Sequence, residues 1–212
     1  MTHATQATDA ELVQRWRAGD RAACEALFHR HYAAVARFFR NKAPAEAADL
    51  AQRTLLTGFQ RIAGLQDAAR FKSWILGMAY NVLREQLRSA RRERIDFTSM
   101  SLVDLGSSPV SVVARQRVHQ VLLDALRRIP IELQAALELH YWERMSVQEI
   151  ADTLEIPLGT AKTRLRRARE LVAVAMADAG SQAAPREQPE DPNAPDDLQA
   201  WAFEIGRAIE PE

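Results

Sequence analysis

The 212-residue sequence predicts an all-α protein of two small helical domains joined by a flexible linker. Apolar residues recur at helical spacing along most of the chain, which is typical of amphipathic helices. This periodicity is lost between residues 96 and 109, where serine and glycine accumulate, and it returns at Val118. A composition of 47% hydrophobic and 26% charged residues is that of an ordinary globular protein with a core.

The first domain, residues 1–95, is predicted to begin with two helices. Thr8 and Glu11 fit a capping box, and Leu12, Val13 and Trp16 follow at helical spacing. Gly19-Asp20 breaks this helix. The apolar stripe of a long second helix then comprises Cys24, Leu27, Phe28, His31, Tyr32, Val35, Phe38 and Phe39.

Two further helices complete this predicted four-helix domain. Pro44 separates the second helix from a third, and the polar loop Leu65–Arg70 separates the third from a fourth that runs from Phe71 to about Arg92. The apolar residues of the third helix are Leu50, Leu55, Phe59 and Ile62, and those of the fourth are Phe71, Trp74, Ile75, Met78 and Val82.

A linker over residues 96–115 leads to the second domain, residues 116–178. Helical spacing runs from Val118 to Ile129, and two helices are predicted at about 131–142 and 147–154. Ser146 and Glu149 form a second capping box at the start of the latter. After Pro157 a final helix carries an inward stripe of Ala161, Leu165, Ala168 and Val172.

The final helix is the strongest candidate for a functional site. A short capped helix, a tight turn and a basic helix form the pattern of a helix-turn-helix, whose second helix enters the DNA major groove. Lys162, Arg166 and Arg169 are spaced to share one face opposite the apolar stripe, and Thr160 and Thr163 lie near the N-terminal end. The alternative is a solvated basic face on a structural helix, which the capping box and turn disfavour.

The stretch ALRRIPIELQAALELHYWERMSVQEIADTLEIPLGTAKTRLRRAREL resembles region four of the extracytoplasmic-function sigma factors of the sigma-70 family. The core I-P-x-G-T-x-K-x-R-L-x-R-A is rare in other helix-turn-helix proteins. The resemblance implies that the final helix binds the promoter −35 element, through Thr160, Lys162, Thr163, Arg166, Arg167 and Arg169.

The first domain is similar to region two of the same family. ADLAQRTLLTGF resembles the segment that docks on the clamp coiled coil of core RNA polymerase, normally D-L-x-Q-E-x-F. The resemblance implies polymerase contacts at Asp49, Leu50, Gln52 and Arg53. Arg53 departs from the pattern, since the family usually has an acid there, and a reversed charge on a docking surface can lower affinity. The alternative for Asp49 and Gln52 is an ordinary polar helix face.

RFKSWILGMAYNVLREQLRSARR resembles the part of region two that melts and reads the −10 element. Asn81, Arg84 and Arg88 are spaced to share one polar face, and Arg91 and Arg92 lie beyond. The resemblance implies that these five residues bind the melted strand, whose phosphates a basic face would neutralise. The loop Leu65–Arg70 is a candidate pocket for a flipped base. Trp74 and Tyr80 are possible stacking platforms, and core packing is the favoured role for Trp74.

The C-terminal extension, residues 179–212, is proline-rich and acidic, which predicts disorder. Residues 178–212 contain nine acidic and two basic residues, a net charge of −7, and the other residues carry +7. One hypothesis is a regulatory tail that folds against the body through Leu198, Trp201, Phe203 and Ile205. The alternative is an inert solubilising extension.

The expected partners are core RNA polymerase, promoter DNA, and either an anti-sigma factor or the chain's own tail. The single cysteine, Cys24, suits a reducing cytoplasm, and the chain lacks an apolar run of about 18 residues, so no membrane insertion is expected. No catalytic residues, metal site or cofactor are predicted, so the protein is not expected to be an enzyme. The rival interpretations are a stand-alone helix-turn-helix repressor, a sigma mimic that sequesters a regulator, and, least favoured, an enzyme.

Overall fold

The computed structural model describes residues 7–93 and 122–178, with the backbone alone at 90–93 and 176–178. All the regular elements in these ranges are helical, which confirms the predicted all-α class. The chain forms two compact units, one extending to Arg88 and the other beginning at Ser89. The predicted linker and the tail residues Leu198, Trp201, Phe203 and Ile205 lie outside the described residues, and the predicted domain boundaries remain predictions.

The first unit contains the four predicted helices. They are α1 (Asp9–Arg17), α2 (Arg21–Arg40), α3 (Ala47–Arg61) and α4 (Phe71–Glu93), with short 3-10 turns at Ile62–Gly64 and Ala68–Arg70. The capping box of α1 is confirmed, since the Thr8 N–H donates to Glu11 Oε2 at 2.7 Å and the Glu11 N–H donates to Thr8 Oγ1 at 3.3 Å. Gly19 turns the chain with a φ of +95°, and Asp20 caps α2.

An aromatic cluster joins the helices of the first unit. Phe28 of α2 meets Trp16 of α1 with ring centroids 5.3 Å apart and Phe71 of α4 at 5.9 Å, both edge to face. Gly58 lets α3 approach α4, because a Cβ there would lie 2.6 Å from Ile75 Cδ1. The largest fully buried side chains of the unit are Leu27, Phe39, Leu50, Phe71, Ile75, Leu76 and Leu83.

Several residues assigned to the inner faces of α3 and α4 are not fully buried there. Phe59, assigned to the inner face of α3, is 55% exposed, and Ile62 lies beyond the end of that helix. Trp74 and Met78 of α4 are only partly buried. The inner face of α4 is instead Phe71, Ile75, Leu76, Ala79, Tyr80, Val82 and Leu83. Large apolar side chains surround much of each helix, and they cannot all point inward. The spacing of apolar residues therefore did not decide which face is buried.

A buried histidine links α1 to α2. His31 is 6% exposed, and its Nε2 lies 2.7 Å from Asp9 Oδ2 at the start of α1. Arg30 supports the same carboxylate at 2.6 Å, and the Phe71 ring lies 5.3 Å from the imidazole. Burial lowers the pKa of His31, and the Asp9 carboxylate opposes that shift in part. The neutral imidazole with Nε2–H donating to Asp9 satisfies this site.

Acidification is therefore expected to destabilise the protein through His31. Because the folded-state pKa is depressed below that of the unfolded chain, the stabilisation is complete above about pH 6.5 and is lost as the pH falls below it. Urea unfolding of the full chain at pH 7.5 and 5.5 measures this loss. The pH dependence should shrink in His31→Gln and persist in His29→Gln, which changes an exposed histidine of the same helix. An unchanged pH dependence in His31→Gln would contradict the expectation.

The second unit forms the predicted helix-turn-helix arrangement. A helix over 122–128, called α5, is followed by α6 (Ile131–Tyr141), α7 (Val147–Thr153) and α8 (Leu158–Asp178). The capping box of α7 is confirmed, with Ser146 N–H to Glu149 Oε2 at 2.8 Å and the reciprocal bond at 3.2 Å. The predicted inward stripe of α8 is also confirmed, since all four members are buried: Ala161, Leu165, Ala168 and Val172.

The turn between α7 and α8 ends in a Schellman motif. The Ile156 N–H donates to Ala151 O at 2.9 Å, and the Glu155 N–H donates to Asp152 O at 3.3 Å. Glu155 occupies the left-handed position, with a φ of 54°. A side chain there is strained, because the Cβ approaches the following carbonyl oxygen. The turn that precedes α8 therefore has, at its left-handed position, a residue that does not favour positive φ.

Replacing Glu155 by glycine is expected to stabilise the second unit by about 1 kcal/mol, because glycine adopts positive φ without strain. Glu155→Ala is the matched control, since it removes the same charge and keeps the Cβ. Thermal unfolding of the full chain should show a higher midpoint for the glycine variant alone. An equal gain in both variants would assign the effect to the carboxylate instead of the backbone.

Candidate nucleic-acid and polymerase interfaces

The outward face of α8 is predominantly basic. Lys162, Thr163, Arg166 and Arg167 are exposed there, opposite the buried stripe. Arg166 forms an ion pair with Glu170 one turn along the helix at 2.5 Å, and an exposed pair of this kind is easily exchanged for another partner. The face thus presents guanidinium and ammonium groups suited to phosphates and to the acceptor edges of bases.

Arg169 does not share this exposed face. It is partly buried, and its Nε donates to the Tyr141 hydroxyl of α6 at 2.8 Å, with the guanidinium 5.6 Å from the centre of the Tyr141 ring. The predicted alignment of Lys162, Arg166 and Arg169 opposite the apolar stripe is therefore corrected, because the third member lies at the edge of the core. Arg169 fixes α8 on α6, and its contact with DNA stays a prediction.

A shallow pocket of about 290 Å³ lies beside the first turns of α8. It brings together the predicted residues Thr160, Thr163 and Arg167 with two that sequence reasoning missed, Gly159 and Arg164, over the side chain of Leu133 in α6. Arg164 was not predicted because it lies beside the apolar stripe. Its position four residues after Thr160, on the same side of α8, would have placed it next to that residue.

The outward face of α4 carries Asn81, Arg84 and Arg88, all exposed. The Arg84 guanidinium lies 5.6 Å from the centre of the Tyr80 ring, and Tyr80 itself is buried. Tyr80 is therefore not available to stack on a base, and its ring instead makes a cation–π contact with Arg84. Arg91 and Arg92 extend the helix, and their side chains lie outside the described residues.

The loop Leu65–Arg70 is held at its start by α1 and is capped within itself. Arg17 of α1 donates to the carbonyl oxygens of Ile62 and Leu65, and the Leu65 side chain is buried. Asp67 Oδ1 accepts from the Ala69 N–H at 3.0 Å and caps the following 3-10 turn. These contacts hold the polar positions of the loop in the solvent beside the start of α4.

The outward face of α3 carries three of the four residues predicted to dock on polymerase. Asp49, Gln52 and Arg53 are exposed. Leu50 is 1% exposed, which corrects its assignment as a contact residue, because its side chain packs inside the unit. The same face continues with Leu56 and Phe59, which are 54% and 55% exposed. Two large apolar side chains next to polar groups are typical of a protein-binding surface.

Arg53 is paired within the chain. Its Nη2 lies 3.1 Å from Glu85 Oε2 of α4, and both side chains are solvent-accessible. The positive charge that departs from the family pattern is therefore partly neutralised by a carboxylate on the next helix.

Comparisons with known proteins match both units. The family model for sigma-70 region 2 matches residues 27–93, and that for sigma-70 region 4 matches residues 119–172. The RNA polymerase sigma-H factor of Pseudomonas aeruginosa is 27% identical over 183 residues, which are 79% of this chain and 93% of that protein. The ECF RNA polymerase sigma-E factor of Haemophilus influenzae is 26% identical, covering 80% of this chain and 95% of that protein.

Solved structures share the fold. The sigma factor RpoE of Bartonella quintana, in complex with the anti-sigma factor NepR, has a TM-score of 0.60 at 19% identity, covering 72% of this chain and 96% of that one. CnrH in complex with the cytosolic domain of CnrY has a TM-score of 0.57 at 23% identity, covering 82% and 99%.

The fold and these matches define a promoter-recognition protein. The chain belongs to the sigma-70 family and is of the extracytoplasmic-function type, whose members act with RNA polymerase in transcription initiation. In the part of the chain that the structure describes, no helix is both long and apolar enough to cross a bilayer.

Proposed function

We propose that this chain binds core RNA polymerase through α3, reads the −35 element through α7 and α8, and promotes melting of the −10 element through α4. The observation that carries the proposal is the exposed basic face of α8, held by a capped α7 and a fixed turn. The second helix of such a motif enters the major groove, where its N-terminal residues meet base edges. The residues proposed for this contact are Thr160, Lys162, Thr163, Arg166 and Arg167.

In the proposal, α4 holds the opened −10 strand. Asn81, Arg84 and Arg88 form an exposed, mostly cationic face that can neutralise its phosphates. The loop Leu65–Arg70 immediately precedes α4, and its polar groups are proposed to meet an unstacked base. Unpairing a base costs a few kcal/mol, so a fixed loop that needs no reordering on binding is an advantage.

Polymerase docking is proposed for the outward face of α3. The exposed pair Leu56 and Phe59 supplies apolar area, and Asp49 and Gln52 supply polar contacts at its edge. Aromatic and large aliphatic side chains carry most of the binding free energy in protein interfaces. Arg53 pairs with Glu85 in the free chain, and because both side chains are exposed the pair is easily exchanged, so Arg53 remains available to polymerase.

The proposal places the chain in the cytoplasm with polymerase, as a transcription factor without catalytic activity. The structural relatives RpoE and CnrH are bound to NepR and to the cytosolic domain of CnrY, which supports an anti-sigma partner for this chain as well. The acidic extension is proposed as a second regulator, motivated by the net charge of −7 over residues 178–212 beside +7 on the rest of the chain. Tethering raises its effective concentration to about millimolar, so weak contacts suffice.

Multi-round transcription with bacterial core polymerase on a promoter library tests the proposal. Promoter-specific transcripts from the full chain are expected, and stronger output from a chain ending at Asp178 would identify an inhibitory tail. Equal output from both would leave the tail without a regulatory role. No transcripts from either folded protein would favour a repressor or a sigma mimic.

A further inference from the structure

The pocket beside the first turns of α8 has the chemistry of an anion site. Arg164 and Arg167 line it together with Thr160 and Thr163, and Leu133 forms its apolar side. Thr163 already donates its hydroxyl hydrogen to Gly159 O at 2.9 Å. The groups able to approach an anion as donors are therefore the two guanidinium groups and the Thr160 hydroxyl.

Arg164 lacks the acceptor that its position demands. Its Nη1 is buried and has no hydrogen-bond partner among the described residues. A cationic N–H that is removed from water without an acceptor destabilises the free protein. Arg164 also lines the pocket, so an anion bound there would bring an acceptor close to this side chain.

Gly159 also lines the pocket, and no contact among the described residues requires glycine there. Its backbone is helical, and it is absent from the described residues with positive φ. A Cβ added to it would meet no atom within 4 Å. Glycine in a helix is less stable than alanine, and the open space around Gly159 leaves room for a partner to come close to this backbone.

We propose that the pocket binds one backbone phosphate of the −35 duplex, with Arg164 and Arg167 on its oxygens and Gly159 allowing its close approach. This inference rests on the proposed function and adds two residues, Gly159 and Arg164, to the interface. A phosphate contact fixes the position of α8 on the duplex and carries no sequence information itself. Its loss should therefore weaken binding to cognate and altered −35 sequences by the same factor.

Gly159→Ala separates this role from a structural one. The variant is expected to raise the melting temperature of the full chain by about 2–6 °C, because alanine favours the helix. The reconstituted holoenzyme should nevertheless bind a promoter duplex about tenfold more weakly, since a charge-assisted hydrogen bond is lost or lengthened. Arg164→Gln should weaken binding similarly, again without a change in sequence preference.

Neutral methylphosphonate linkages, placed one at a time along the −35 region, identify the phosphate. At one position the linkage should weaken the wild-type holoenzyme about tenfold and have almost no further effect on Gly159→Ala. A linkage upstream of the −35 region is the control. Wild-type affinity in Gly159→Ala, a fall in its melting temperature, or additive effects at every position would each overturn the phosphate site. If Arg167→Ala also binds like wild type, the proposed −35 function fails with it.

Discussion

Replacing Arg167 by alanine is expected to weaken promoter binding by the holoenzyme by about 10- to 150-fold, with little change in stability. Hydrogen bonds to charged groups contribute about 1.5–3 kcal/mol, which corresponds to this range. Arg167 is exposed on the outward face of α8, so the core of the domain does not depend on it. Electrophoretic mobility shifts on a promoter chosen from the library would measure the change, with thermal unfolding in parallel.

Arg128→Ala is the matched control for this variant. Arg128 is an exposed arginine of the same unit and belongs to α5, a helix that is not part of the proposed DNA contact. Both substitutions remove one positive charge, so a general electrostatic effect would weaken binding equally in the two. We expect Arg128→Ala to remain within about twofold of the wild type, and a similar loss in both would remove the support for a specific contact.

Introducing aspartate at Leu56 is expected to lower the affinity for core polymerase by about 30-fold or more. Large side chains at the centre of an interface contribute about 2–4 kcal/mol, and a buried unpaired carboxylate adds a further cost. Because Leu56 is mostly exposed, the substitution should leave the first unit folded. Fluorescence anisotropy of the labelled chain titrated with core polymerase would give the affinity.

Val174→Asp provides the comparison, because it puts the same charge on another exposed apolar position in α8. Its affinity for polymerase should match the wild type. Unchanged binding of Leu56→Asp would show that polymerase does not cover this part of α3, and the docking surface would then have to be sought elsewhere. A loss in both variants would point to aggregation or to a general charge effect.

Much of the fold was predictable from sequence because local signals agreed with long-range ones. The two capping boxes, at Thr8 and Ser146, fixed helix starts, and Gly19 fixed an end. The inward stripe of α8 contains alanine at two of four positions and was found by spacing alone. The apolar face of α3 was harder to predict, since Phe59 is a large apolar residue of the kind usually found in a core, but it is exposed on the surface.

The candidate site was predictable at the level of the helix and less so at the level of the side chain. Spacing put Arg169 with Lys162 and Arg166, but Tyr141, which is 28 residues earlier in the chain, engages it. Leu50 matched the docking motif, and burial removed it from the surface. In both cases the deciding contact came from another helix, which periodicity within one helix cannot reveal.

The ion pair between Arg53 and Glu85 couples the effects of mutations at the two positions. Arg53 lies on the proposed polymerase surface, where the family usually has an acid, and Glu85 lies among the arginines of the proposed DNA face. The two opposite charges lie 3.1 Å apart and offset each other in part. In the proposed function, a mutation at Arg53 leaves the Glu85 carboxylate unpaired on the face that meets DNA, so transcription defects of Arg53 variants should be relieved by second-site changes at Glu85.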